Sequence, residues 1–297
     1  MNEPDPAPVR HHDDPELFRA ALAYTVAETG FAARLIEKDY FCTVLLSYLA
    51  TLNTEIVFKG GTCLAKVHAD FYRMSEDLDF VISSSCDASR KERSSRVVNL
   101  KKGIQELPGL LPVFRVDQPL RGANASTQYL AEIGYTSLNT GELETIKLEV
   151  SLSEPLLTPV AVAPALTILL NPITAKPSVA PVTITCLSLL ESFAEKFRAA
   201  LSRRDPAIRD FFDIDYAERR LGINARKPGL VGLVREKMAI PGNEPADVSS
   251  ARLDTLRRQV ESQLKSVLRE RDFEEFDLDR SFATVREMAR SIANEAL

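Results

Sequence analysis

The sequence predicts an α+β core, a mixed sheet flanked by helices, followed by a helical C-terminal lobe. Three observations predict it. Residues 58–82, FKGGTCLAKVHADFYRMSEDLDFVI, run from an apolar segment through a double glycine and a helical pattern into an alternating Asp-Leu-Asp-Phe-Val-Ile stretch. Residues 145–152 alternate, with Ile146, Leu148, Val150 and Leu152 apolar and Lys147, Glu149 and Ser151 polar, as in a strand with one buried face. Residues 155–181 are rich in Pro, Ala, Val and Leu with almost no charge, too broken by proline for one helix, and from Thr183 onward the pattern turns helical. The expected division is a flexible tail at 1–13, a core domain at 14–160 and a mainly helical domain at 161–297.

At 297 residues, 45% hydrophobic and 27% charged, the chain has the makings of an ordinary globular core. No apolar run approaches bilayer length, and the polar, Pro-rich start MNEPDPAPVRHHDDPE has no signal-peptide core, so a cytoplasmic protein without membrane contact is expected. Cys42, Cys63, Cys86 and Cys186 are scattered without metal-ligand spacing, and His68 reads as a helix-surface residue. The net charge of −5 argues against broad, nonspecific nucleic-acid binding. Local basic stretches remain at Arg90–Arg96, Lys101-Lys102 and Arg203-Arg204 with Arg209, each of which a solvated helix face would also explain.

Along the chain, Asp14-Pro15 fits a cap and first helical residue, with Gly30 able to end that helix. A longer helix follows over 31–52, and a basic one over 87–107. Strands are expected at 111–116, 128–136 and 145–152. Ser188-Leu189-Leu190-Glu191 fits a capping box, and Asp205-Pro206 reads as the start of a helix ending near Gly222. Residues 223–297 are charged, amphipathic and mostly helical by pattern.

The chemistry concentrates in residues 59–79. Asp77 and Asp79 share a face of an extended segment, and two neighbouring carboxylates repel unless a cation lies between them. Oxygen ligands suit Mg²⁺ or Mn²⁺. Gly60 and Gly61 leave backbone N–H groups open to phosphate oxygens. Taken alone, an Asp-x-Asp pair fits a solvated strand edge as well. If residues 145–152 lie beside the second strand, Glu149 projects towards Asp77 and Asp79 as a third acid; otherwise it is an exposed sheet residue. Lys196 either snorkels along the stripe of Leu189, Phe193 and Ala200 or reaches a phosphate. Asp210 and Asp213 neighbour each other on one helix, with Arg209 as a possible structural partner.

These words together resemble a known family. The double glycine before an acid-x-acid strand resembles the nucleotidyltransferase superfamily. Lys59-Gly60-Gly61-Thr62, Arg73-x-Ser75-Glu76-Asp77-Leu78-Asp79-Phe80, Glu37-Lys38-Asp39-Tyr40, Glu195-Lys196-Phe197 and Arg209-Asp210-Phe211-Phe212-Asp213 resemble the AbiEii/AbiGii toxins of type IV toxin–antitoxin systems, over about residues 37–221. The resemblance implies a nucleotidyltransferase core with its active site in the cleft between two lobes. It implies an NTP held by Lys59, Gly60, Gly61 and Thr62 and Mg²⁺ (or Mn²⁺) held by Asp77, Asp79 and Glu149. Lys196 becomes a phosphate ligand and Asp213 an active-site acid. Gly61 stands where many superfamily members have Ser, so Thr62 or Ser75 is the candidate hydroxyl. The implied acceptor is the 3′ end of tRNA, and the implied protein partner is a cognate antitoxin encoded alongside. A protein-modifying nucleotidyltransferase and a nucleotide-binding module without catalysis are the alternatives.

Overall fold

The computed structural model describes residues 10–294, and the chain divides into two compact units. The first runs up to Pro155 and includes Val160–Cys186; the second comprises Leu156–Pro159 and the chain from Leu187. Residues 161–186, expected in the helical domain, therefore belong with the sheet. Of the expected tail, residues 1–9 lie outside the described residues, whereas His11–Asp13 form a 3-10 turn whose His12 Nδ1 lies 2.7 Å from the Tyr40 hydroxyl.

In the first unit, α1 (Pro15–Thr29) starts as its sequence indicates: Asp14 accepts the Leu17 N–H, Pro15 follows, and Gly30 closes the helix at φ +76°. Helix α2 (Ala33–Thr51) lacks a side-chain cap and is buried on most of its surface, including the consecutive charges of Glu37, Lys38 and Asp39. Burying three charges demands partners for each. Strand β1 (Val57–Lys59) leads into α3 (Gly60–Cys63), which continues as a single π-turn over Leu64–His68. Strand β2 is Leu78–Val81.

The basic segment forms two helices, α4 (Arg90–Arg96) and α5 (Val98–Leu110), rather than one. A complete capping box of Ser89 and Glu92 opens α4. Three strands follow, β3 (Phe114–Ala123), β4 (Gln128–Thr136) and β5 (Leu143–Ser151). The first starts later and runs further than residues 111–116, because its polar residues and register shifts mask the alternation. Strands β6 (Ala161–Ala165) and β7 (Val182–Cys186) complete the unit, so residues 183–186 are extended where a helix was expected.

The seven strands lie in the order β3-β4-β5-β2-β1-β7-β6. Strand β2 pairs parallel with β5 and β1 parallel with β7; the other neighbours are antiparallel, which makes the sheet mixed. Pro119 and Pro164 sit in the two edge strands, where a missing N–H does least damage and discourages pairing with another chain.

The second unit is helical: α6 (Leu189–Ser202), α7 (Ile208–Arg220), α8 (Pro228–Met238), α9 (Ser250–Gln259), α10 (Glu270–Glu275) and α11 (Leu278–Asn294). Ser188 caps α6 by accepting the Glu191 N–H, but the box is incomplete. The Glu191 carboxylate accepts the N–H groups of Leu157 and Thr158 instead. Helix α7 begins at Ile208 after Ala207, with no side-chain cap, so Asp205-Pro206 precedes the helix rather than opening it.

Candidate active site

The central strands set the site. In register, Lys59 lies opposite Asp79 and Asp79 opposite Glu149. Residues opposite each other share a sheet face, so these three side chains form one row across β1, β2 and β5. The alternate positions Phe58, Leu78, Phe80, Leu148 and Val150 are fully buried on the other face. Burial of that apolar row fixes which way the acids point, since a one-residue slip would exchange the two faces. Asp77 sits one residue before β2, two from Asp79, and both are half-buried.

Gly60 is required twice over. Its φ is +79°, and a Cβ there would lie 2.2 Å from Asp79 Oδ2. A Cβ on Gly61 would lie 2.6 Å from Arg73 Nη2 and 2.9 Å from Ser75 Oγ. The double glycine thus lets Asp79, Arg73 and Ser75 close on the backbone of the turn. Thr62 donates its hydroxyl hydrogen bond to the Asp77 carbonyl, tying turn to strand. That bond uses the one donor Thr62 has, which leaves Ser75 as the candidate hydroxyl beside the turn.

The structure adds two neighbours that sequence reasoning did not single out as site residues. Arg73 is 2% exposed and donates to the Met74 carbonyl at 3.0 Å. Glu154 is buried, with Oε1 4.0 Å from Lys59 Nζ. Its signal was weak: an acid just past the end of β5, off the alternating pattern.

Glu37-Lys38-Asp39-Tyr40 is accounted for by packing. Glu37 accepts from Ser137 Oγ and Leu138 N, both at 2.6 Å. Lys38 reaches Glu76 at 3.1 Å, and Arg34 reaches the same carboxylate at 2.9 Å. Burial raises the Glu76 carboxyl, but Lys38 and then Arg34 outweigh it and hold the group below its ordinary range. Asp39 pairs with the fully buried Lys66 at 2.6 Å and accepts from Thr167 and Ile168. Lys66 also donates to Thr43 and to the Leu166 carbonyl, so this pair anchors the π-turn behind the glycines.

In the second unit, Lys196 lies 2.9 Å from Asp210 and 2.8 Å from Asp213, and Arg203 lies 2.9 Å from Asp210. Asp213 is fully buried. The partners of the two acids in α7 thus include Lys196 and Arg203, where the sequence pointed to Arg209.

The family model described as nucleotidyl transferase AbiEii toxin, type IV TA system, matches residues 44–288. The chain belongs to the AbiEii nucleotidyltransferase toxin family. The match spans both units of this AbiEii chain, including α6 to α10 and most of α11. No curated protein matches it. Among solved structures, a Helicobacter pylori protein designated a nucleotidyltransferase is 16% identical, covering 89% of this chain and 97% of its own, with a TM-score of 0.52. The protein JHP933, also from Helicobacter pylori, is 16% identical over 89% of this chain and 94% of its own, with a TM-score of 0.51. These likenesses support the fold. The nucleotidyltransferase toxin MenT4 from Mycobacterium tuberculosis is 17% identical, with 93% and 98% coverage and a TM-score of 0.49.

A nucleotidyltransferase generally uses an NTP and a divalent metal, and two features of this AbiEii toxin fit them. The donor set of Asp77, Asp79 and Glu149 is oxygen only, as hard cations require. The backbone at Gly60 and Gly61 forms a cradle that a Cβ would fill. Asp79 and Glu149 share a sheet face, and Asp77 sits one residue before β2. Among the described residues, the trio of ligating side chains with donor atoms all within 4.8 Å is Cys63, His68 and Cys186. No helix among the described residues is long and apolar enough to cross a membrane.

Proposed function

We propose that this enzyme transfers a nucleoside monophosphate from an NTP to an acceptor hydroxyl, releases pyrophosphate, and uses the 3′ end of tRNA as acceptor. Nucleotides added there would block aminoacylation and stop growth, in the cytoplasm and under control of a cognate antitoxin encoded alongside. The observation that carries the reading is the row Lys59–Asp79–Glu149 beside a glycine turn through which Asp79 packs against the backbone.

Each residue then has a task. The amides of Gly60, Gly61 and Thr62 donate to the triphosphate, with the Ser75 hydroxyl beside them. Lys59 and Arg73 offset phosphate charge. Asp77, Asp79 and Glu149 would hold Mg²⁺ or Mn²⁺, which supplies Lewis-acid polarisation of the α-phosphate and lowers the pKa of the attacking hydroxyl. Lys196 serves as a further phosphate ligand and Asp213 as an active-site acid, roles that rest on the motif resemblance.

The test is to incubate the full chain with tRNA, with total protein and with each of four α-labelled NTPs, alongside Asp79→Asn. The expected result is label in tRNA with stoichiometric pyrophosphate, reduced at least about 100-fold in the variant, the scale of losing one stabilising group of a reaction centre. Label in protein would replace the acceptor. Nucleotide binding without pyrophosphate release would replace catalysis by a binding role.

A further inference from the structure

The trio Cys63, His68 and Cys186 lies outside the carboxylate row and has no part in the transfer reaction proposed above. Its donor atoms all lie within 4.8 Å of one another, although the residues come from three places in the chain. Cys63 is the last residue of α3, His68 the last of the π-turn, and Cys186 the last of β7, opposite Phe58 of β1. We propose that these three side chains form a binding site for a soft divalent transition metal, foremost Zn²⁺, that clamps the glycine-turn helix to strand β7.

The local backbone explains the meeting. Cys63 and His68 are five residues apart, a spacing that an α-helix of 3.6 residues per turn carries to different faces. Here the chain follows a π-turn over Leu64–His68, whose hydrogen bonds span five residues, and the wider turn returns His68 to the side of Cys63. The parallel pairing of β7 with β1 then delivers Cys186 to the same place. A buried cysteine alone is commonly a small apolar filler. Packing does not account for an imidazole brought within 4.8 Å of both thiols.

The donor chemistry selects the ion. Two thiolates and one imidazole suit Zn²⁺ or Co²⁺ and disfavour Mg²⁺, whose proposed oxygen ligands lie in the separate carboxylate row. On binding, each thiol gives up its proton to solvent and the imidazole binds neutral. Two thiolate charges and one divalent cation then sum to zero, which suits a place where both cysteines are fully buried. His68 is half-buried, leaving room for a water or other fourth ligand on its side. Because Cys63 directly follows Gly60-Gly61-Thr62, occupancy would tether that turn through its own helix.

Cobalt is the direct probe, since tetrahedral Co²⁺–thiolate sites absorb and a carboxylate site does not give the same charge-transfer band. Reduced, untagged full-length protein titrated with Co²⁺ alone should develop a thiolate-to-cobalt band saturating at one equivalent and displaced by Zn²⁺. Cys63→Ser and Cys186→Ser should each abolish it. His68→Gln should weaken binding by more than about tenfold, the least that even residues orienting a metal ligand typically contribute. Cys86→Ser and Asp79→Asn should leave the band unchanged, so failure here and failure of the carboxylate site are read separately. No charge-transfer band in the wild type overturns the proposal without reliance on any variant. So does a band that survives both cysteine substitutions, or one that Cys86→Ser removes.

Discussion

Gly60 and Lys196 each join fold stability to the chemistry proposed for the site. Gly60 holds φ +79° with Asp79 Oδ2 where a Cβ would be, whereas Gly222 holds φ +67° with nothing within 4 Å. An alanine at either position is expected to lose about 1–2 kcal/mol from the left-handed backbone. Only Gly60→Ala also pushes the Asp79 carboxylate, so it should lower transfer more than tenfold by about the scale of a displaced catalytic group, while Gly222→Ala keeps its rate. Equal activities in the two variants, compared at matched fractions folded, would remove Asp79 from the reaction. Lys196 lies between Asp210 and the fully buried Asp213, so Lys196→Ala, which removes one partner of a buried ion pair, should destabilise by about 3–5 kcal/mol. The double variant Lys196→Met/Asp213→Asn removes both charges and should recover most of that stability. If activity returns with the melting temperature, neither residue acts on substrate; if the KM for NTP stays raised, the phosphate role holds.

Elements were legible where side-chain period or a cap dominated, and illegible where long-range contacts decided. Helix α1 was written in Asp14, Pro15 and Gly30, and β5 in the alternation of Ile146, Leu148 and Val150. The β5 alternation, set beside the Asp-Leu-Asp-Phe alternation of residues 77–80, also gave the row of Asp79 and Glu149. Strand β7 was lost because its five residues adjoin the Ser188 cap and depend on β1 and β6 for hydrogen bonds. The π-turn was lost because nothing in Leu64–His68 marks one; Lys66 is held there by Asp39, 27 residues earlier, and by Leu166. Helix α2 was placed nearly correctly, but its charged segment could be read as contacting nucleotide or as packing. Glu37 separates these by prediction. Its carboxylate accepts from Ser137, Leu138 and Asn139, so Glu37→Ala should strand the buried Ser137 hydroxyl and the half-buried Leu138 N–H and lower stability by about 2–3 kcal/mol. The KM for NTP of the remaining folded protein should be unchanged. A raised KM in thermally intact protein would return this segment to the nucleotide site.

At the scale of the whole molecule, charge is the constraint. If the proposed tRNA acceptor holds, a protein of net charge −5 must gather its cations locally, and several basic side chains are already engaged. Arg203 pairs with Asp210, Lys102 lies 3.7 Å from Glu106, and Lys101 sits 4.8 Å above the Tyr129 ring. Charge reversal at Arg203 would therefore damage the Lys196–Asp210 cluster as well as any RNA contact. Arg204 is exposed and offers a cleaner test. If it neutralises one phosphate of a single-stranded acceptor end, Arg204→Glu should flatten the slope of log affinity against log salt by about 0.7 and weaken tRNA modification. Phosphate contacts position nucleic acid without reading its sequence, so all modified tRNAs should weaken alike. The KM for NTP and the melting temperature should hold, since the side chain is exposed. The slope is decisive because a general loss of activity lowers every point on the curve equally, whereas a lost phosphate contact rotates it. An unchanged slope in Arg204→Glu would move the acceptor surface to other cations of the chain, with Arg90 and Lys91 of α4, both exposed, the next to reverse.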